Sequence, residues 1–221
     1  MLQLFSEILK YPNGNLKKNT ISLIKRIDAS LDKKSASEIN DYLKVFFYYL
    51  EKTGLKEQEE IFTQTFEVQS ITTMDVGYIL FGDDYKRAEL LVNLNNEMNK
   101  YGVNCGNELA DYLPNVLSLL DVLEDNLLKE ELINHLVYPA IKRIIADFDS
   151  KVFEQKCKIY LKHQKALIEK SKEFRDIYVN ILIALKLFLE KKFNAKEVII
   201  ESKHNGFLSS IEEELNIEKL S

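Results

Sequence analysis

Three histidines, two cysteines and several paired carboxylates are the side chains of this chain best able to do chemistry. Their spacing points away from it. His135, His163 and His204 lie on separate segments, with no His-Glu-x-x-His run and no cysteine companion. A metal needs three or four converging donors, so each reads as an ordinary core or surface histidine. Cys105 and Cys157 are far apart and lack metal-ligand spacing, which makes them two reduced, buried thiols. No serine sits in a nucleophile elbow, and no glycine-rich phosphate loop is present. Glu59-Glu60 and Glu130-Glu131 are adjacent and so face different sides of a helix, as solvated charges and not as an acid/base couple. The expectation is a protein that is not an enzyme, with no catalytic residue, no metal and no cofactor.

The residues left over are suited to recognition, and they cluster between Glu60 and Leu120. Gly82-Asp83 forms a turn, with Arg87 one turn into the helix that follows. Read structurally, the glycine stops one helix and Asp83 or Asp84 caps the next. Read functionally, Asp83 and Arg87 line a peptide groove, where a guanidinium can grip a carboxylate with two hydrogen bonds. In Leu109, Asp111, Tyr112, Leu113 and Pro114, the leucines are expected to be buried and Asp111 to cap the helix that Pro114 enters. Tyr112 offers an apolar body and a polar tip. Phe66, Tyr78 and Phe81 are core residues or the walls of such a groove. The candidate peptide-binding set is therefore Phe66, Glu67, Tyr78, Phe81, Asp83, Arg87, Asp111, Tyr112 and Pro114.

These residues must be held by helices. The chain has 221 residues, 46% of them hydrophobic, with only 7 Gly and 3 Pro, too few for a turn-rich sandwich. The pattern predicts an all-α, single-domain bundle of roughly eight to ten helices over residues 1–193, with a charged, loosely attached tail at 194–221. A first helix stops at Tyr11-Pro12. A second runs from about Leu16 to Leu31 with Ile21, Ile24, Ile27 and Leu31 inward. A third opens at a Ser35/Glu38 capping box and stops at Gly54. Its Val45–Leu50 run is apolar on nearly every side, which predicts a helix through the middle of the bundle. Helices follow over about 56–67, 73–81, from the Asp83-Asp84 cap to Gly102, and from Pro114 to Leu123. A stretch from Leu127 to about Phe148 is expected to break at Pro139. Two more helices run from Ser150 to Ile168 and from Phe174 to Phe193, with one further turn near 208–215. The net charge of −5 excludes a nucleic-acid partner by composition. No segment approaches the ~20 apolar residues of a membrane span, and Met1–Leu9 lacks the form of a signal peptide, so a cytoplasmic protein is expected.

The ordered set of elements resembles a known family. Leu9-Lys10-Tyr11-Pro12, Thr65-Phe66-Glu67, Tyr78 with Gly82-Asp83, Lys86-Arg87 and Leu109 to Pro114 are similar to the nitrate reductase molybdenum cofactor assembly chaperones, the delta subunit of nitrate reductase. The wider group is the redox-enzyme maturation chaperones of the TMAO and DMSO reductases. The likeness extends to about residue 170. Glu67, Ala88 and Ala110 stand where that family usually has Asp, Gly and Pro. The resemblance implies a TMAO-reductase-chaperone-like bundle, a monomer or weak dimer. It implies binding of the apo catalytic subunit of a molybdoenzyme, through its N-terminal peptide, and support for cofactor insertion and complex assembly. Three other readings stay open: a chaperone for the twin-arginine signal peptide of an exported reductase, a helical adaptor with no molybdoenzyme client, and, as a minor option, an enzyme with an unrecognised site.

Overall fold

The computed structural model describes residues 1–68, 70–149, 174 and 176–196. Among them the fold is all-α, as expected: a bundle with no strand and a single isolated bridge between Asp75 and Tyr112. The helices are α1 (Leu2–Leu9), α2 (Leu16–Ser30), α3 (Lys33–Lys52), α4 (Leu55–Phe66), α5 (Val76–Phe81), α6 (Tyr85–Tyr101), α7 (Leu113–Val122), α8 (Asn126–Glu131), α9 (Tyr138–Asp147) and α10 (Ile177–Phe193). No helix among the described residues is long and apolar enough to cross a membrane. The helix expected from Ser150, Cys157, His163, His204 and the turn near 208–215 lie outside the described residues.

One contiguous core joins α1 to α10. α10 packs mainly on α3 and also on α9 and α1, while α7 packs on α1 and α6. Phe46 of α3, Phe62 and Phe66 of α4 and Tyr178 of α10 meet with ring centroids 5.1–5.6 Å apart. Such tilted aromatic pairs stabilise beyond the area they bury, by about 0.5–1.5 kcal/mol each.

Two expectations about the middle of the bundle are corrected. α3 is not buried all round, since Val45 and Tyr48 are about half exposed and the Lys52 ammonium sits 5.3 Å from the Tyr48 ring. The helix wrapped on every side is α7, where Leu113 through Leu120 are all buried. Its polar members are satisfied in place. Asn115 Nδ2 donates to the Leu109 carbonyl at 3.0 Å, Ser118 Oγ donates to the Pro114 carbonyl at 3.0 Å, and Ser6 Oγ donates to that same carbonyl at 2.7 Å. Burial without loss of hydrogen bonds is what lets a mixed sequence lie at the centre.

Several boundaries move as well. Asp32, not Ser35, caps α3, accepting N–H bonds from Lys34 and Ser35 at 3.0 and 3.1 Å. Those bonds, with the Ser35 hydroxyl foremost, hold the Asp32 carboxyl below its usual range. α3 ends through Thr53 in extended backbone, and Gly54 begins α4 instead of closing α3 in the left-handed region. On α2 the buried residues are Leu16, Thr20, Leu23 and Ile27, while Ile21 is exposed, so the inward face is rotated from the expected one. Gly102 does stop α6 at φ +68, where the Val103 N–H reaches back to the Met98 carbonyl at 2.8 Å. The break near Pro139 is a π-helical turn over Leu132–Val137. Proline has no N–H to donate, and its ring crowds the carbonyl four residues back; the wider turn relieves both. At the end of α10, Ala195 is buried and the Lys196 N–H donates to Asn134 Oδ1 at 3.2 Å.

Candidate functional site

The candidate residues sort into an interior clamp and an exposed rim. The clamp is centred on Arg87, one turn into α6. Its Nε donates to Asp111 Oδ2 at 2.8 Å, and one terminal nitrogen donates to Asp111 Oδ1 at 3.4 Å. The same nitrogen lies 3.4 Å from Asp75 Oδ2, and the other lies 4.0 Å from Asp83 Oδ1. The Asp111 side chain is fully buried and that of Arg87 is only 14% exposed. The Tyr78 ring covers the guanidinium at 5.3 Å. The hydrogen bond from Arg87 to Asp111 raises the guanidinium's proton affinity first, with the nearby carboxylates adding to it.

Backbone geometry fixes the clamp. The Val76 N–H donates to the Asp111 carbonyl at 2.9 Å, and the Leu113 N–H donates to the Met74 carbonyl at 2.8 Å. This short antiparallel bridge ties the segment before α5 to the segment before α7. Gly77 lets Asp111 approach α5, because a Cβ there would stand 2.7 Å from Asp111 Oδ2. The α5–α6 turn passes through Gly82 at φ +67, a conformation few side chains tolerate. Asp84, one of the two expected caps, accepts the Lys86 N–H at 3.0 Å. Arg143 of α9 donates to the Ile79 and Leu80 carbonyls at the end of α5, at 3.1 and 3.2 Å. Asp75 is pushed above the usual carboxylate range, by burial first and by the Asp111 charge second, with Arg87 opposing both.

The clamp revises several expectations. Asp111 does not cap α7, whose N-cap is Tyr112 without a side-chain bond. It is an internal counter-ion with both oxygens on Arg87, whose own guanidinium keeps only an edge at the surface. Pro114 is buried in the first turn of α7, as its missing N–H suits, and Phe66 is buried in the aromatic cluster. Leu113 is buried as expected, but Leu109 is half exposed. The exposed members of the set are Tyr78, Asp83 and Glu67, while Phe81 and Tyr112 are half-buried. Glu67 accepts the Thr63 hydroxyl at 3.1 Å.

Tyr112 joins the elements that are far apart in sequence. Its hydroxyl donates to the Leu9 carbonyl at 3.5 Å. Burial raises its phenol well above the ordinary range, with the charges of Glu108, Glu67 and Asp75 adding to the shift. Tyr11 in turn stands edge-on to Phe62 at 5.4 Å, and Phe62 packs on Phe66 at 5.1 Å. The end of α1 and the start of α5 thus meet at Tyr112, just before α7, while Tyr11 ties the chain after α1 to α4.

Beside this junction an open groove of about 380 Å³ runs along the outer face of α4. Its lining includes Tyr11, Glu59, Glu60, Thr63 and Val68. The sequence reading missed this groove and placed Glu59 and Glu60 on different sides of the helix. Adjacent residues are about 100° apart on a helix, and both border a concavity this wide. The available signal was the stripe Lys56, Glu59, Glu60, Thr63, Gln64, which repeats at helical spacing opposite the buried Ile61, Phe62, Thr65 and Phe66.

Among the described residues, no three His, Cys, Asp or Glu side chains gather as a metal site. Cys105 is a free, partly exposed thiol 3.1 Å from the Met98 sulfur. No protein-family model matches this chain, and no curated protein matches it.

Proposed function

We propose that this chain is a cytoplasmic chaperone without catalytic activity that holds the apo catalytic subunit of a molybdoenzyme, in the first instance a respiratory nitrate reductase. The observation that supports this reading is the junction at Tyr112. The elements that carry the family resemblance are linked pairwise across the fold, through the Tyr112–Leu9 bond, the Tyr11–Phe62–Phe66 stack and the Arg87–Asp111 pair. Elements that matter only locally have no need to meet. The buried members, Phe66, Arg87, Asp111 and Pro114, set the shape, and the client touches the exposed side.

The mechanism requires only differential binding. A chaperone that prefers the open, cofactor-free client over the mature one shifts the client's population toward the form that accepts the cofactor. Discharge follows when filling the client removes the favoured conformation.

The test is capture of the full chain and its partners from cells respiring nitrate anaerobically, followed by mass spectrometry. Retention of a large molybdopterin-type subunit, lost once that subunit carries its cofactor, is the expected result. Retention of other proteins without any molybdoenzyme overturns the reading in favour of a helical adaptor.

A further inference from the structure

We infer that the groove on α4 is a docking site for a polypeptide segment that presents an apolar side chain next to a lysine or arginine. The inference rests on the proposed function only in that both have the chain hold a polypeptide.

The apolar half is set by Tyr11 and Val68, which are 48% and 47% exposed on the groove's walls. Tyr11 is not a loose surface ring, because its edge contact with Phe62 anchors it to the core. A fixed aromatic wall loses little conformational freedom when a ligand arrives, which favours binding. The polar half is acidic. Glu59 and Glu60 line the floor, and Glu67 caps the end of α4. Among the described residues, neither Glu59 nor Glu60 has a cation within ion-pair distance, whereas the Asp111 charge is met by Arg87. Glu60 accepts one hydrogen bond from Gln64 Nε2 at 3.1 Å, which turns its carboxylate along the stripe. Among the described residues Lys56 is the one cation in the lining, at the N-terminal end of the stripe, and the two glutamates outnumber it.

Charge complementarity therefore selects the occupant. An acidic segment meets a lining in which two carboxylates outnumber one lysine, and a purely apolar one desolvates them without a new partner. A segment with one apolar side chain between Tyr11 and Val68 and a cationic one over Glu59 and Glu60 satisfies both halves. The groove's volume, about 380 Å³, suits a few side chains and not a folded domain.

Calorimetry on the full chain tests this with two probes: a blocked helical peptide of Leu and Arg at i, i+3, i+4 and i+7, and the same peptide with Glu for Arg. The Leu/Arg peptide should bind, the Leu/Glu peptide roughly tenfold more weakly or not at all, and added salt should narrow the gap. The double variant Glu59→Gln, Glu60→Gln should lower affinity for the Leu/Arg peptide roughly tenfold with an unchanged melting temperature. Val68→Asp, which fouls the apolar wall of the groove, should weaken it as well. Equal binding of both peptides, or full affinity in the double variant, overturns the inference. Because capture of a molybdoenzyme is read separately, a client retained equally by wild type and double variant sinks the groove and leaves the proposed function standing.

Discussion

Asp111 and Glu60 are two carboxylates of this molecule with opposite fates. Asp111 has given up all contact with water and spends both oxygens on Arg87. Glu60 stands exposed on α4 with, among the described residues, only an amide of its own helix as partner. A charge that is already paired and dry holds segments together and has little left for a visitor. A charge without a counter-ion, beside an anchored aromatic wall, costs almost nothing to leave waiting and gains when a cation arrives. The Arg87 clamp is therefore scaffold, and the α4 groove is the surface proposed for docking.

The sharpest way to break this comparison is to remove the buried carboxylate. Asp111→Ala takes both charge-assisted hydrogen bonds from Arg87 and leaves it only the longer contacts to Asp75 and Asp83, which costs about 3 kcal/mol. Urea unfolding should show a large drop in midpoint, and an unchanged midpoint would move Asp111 from scaffold to surface. Next comes Gly77→Ala. A Cβ at 2.7 Å from Asp111 Oδ2 must displace the carboxylate, at about 1–3 kcal/mol. A neutral outcome would show that the close approach is not needed.

Asp75 gives a smaller effect that depends on pH. Its folded pKa lies above the ordinary 3.8 because burial and the Asp111 charge penalise its ionised form. The folded state thus binds the proton more tightly than the unfolded chain. This contribution is present in full below 3.8 and is lost as pH rises through the folded pKa. Asp75→Asn carries no such penalty. Its stability relative to wild type should therefore improve as pH rises from about 3 to 7 in denaturant titrations, and a difference that is flat with pH would contradict the assignment. At the small end, Glu59→Gln with Glu60→Gln should change unfolding stability by no more than about 0.5 kcal/mol, since neither holds an ion pair among the described residues. A larger loss would make these residues scaffold too.

The helix ends set by backbone geometry were the most legible features. Pro12, Gly82, Gly102 and Pro139 each act through φ or a missing N–H, which neighbouring helices hardly alter. Burial was less legible. The run Val45–Leu50 is apolar in every direction, so it cannot say which directions have neighbours, and α3 has them only on the side of Phe46, Tyr49 and Leu50. α7 carries Asn115 and Ser118 and reads as less central than it is, because Asn115 bonds back to the Leu109 carbonyl before the helix and Ser118 meets Ser6 of α1 as well as its own helix. The site had the same problem at longer range. Asp111 resembles a helix cap from the sequence around it, and only folding brings Arg87 across 24 residues to claim it. Tyr11 and Glu60 look unrelated until α1 and α4 set them around one groove.

Hydrogen–deuterium exchange of the full chain, with and without the Leu/Arg peptide, tests the division of labour most directly. Slower exchange over residues 55–68, with no change over the first turns of α6 at 85–91, is the expected result. Protection confined to the α5–α6 turn around Gly82 and Arg87, with none on α4, would contradict it.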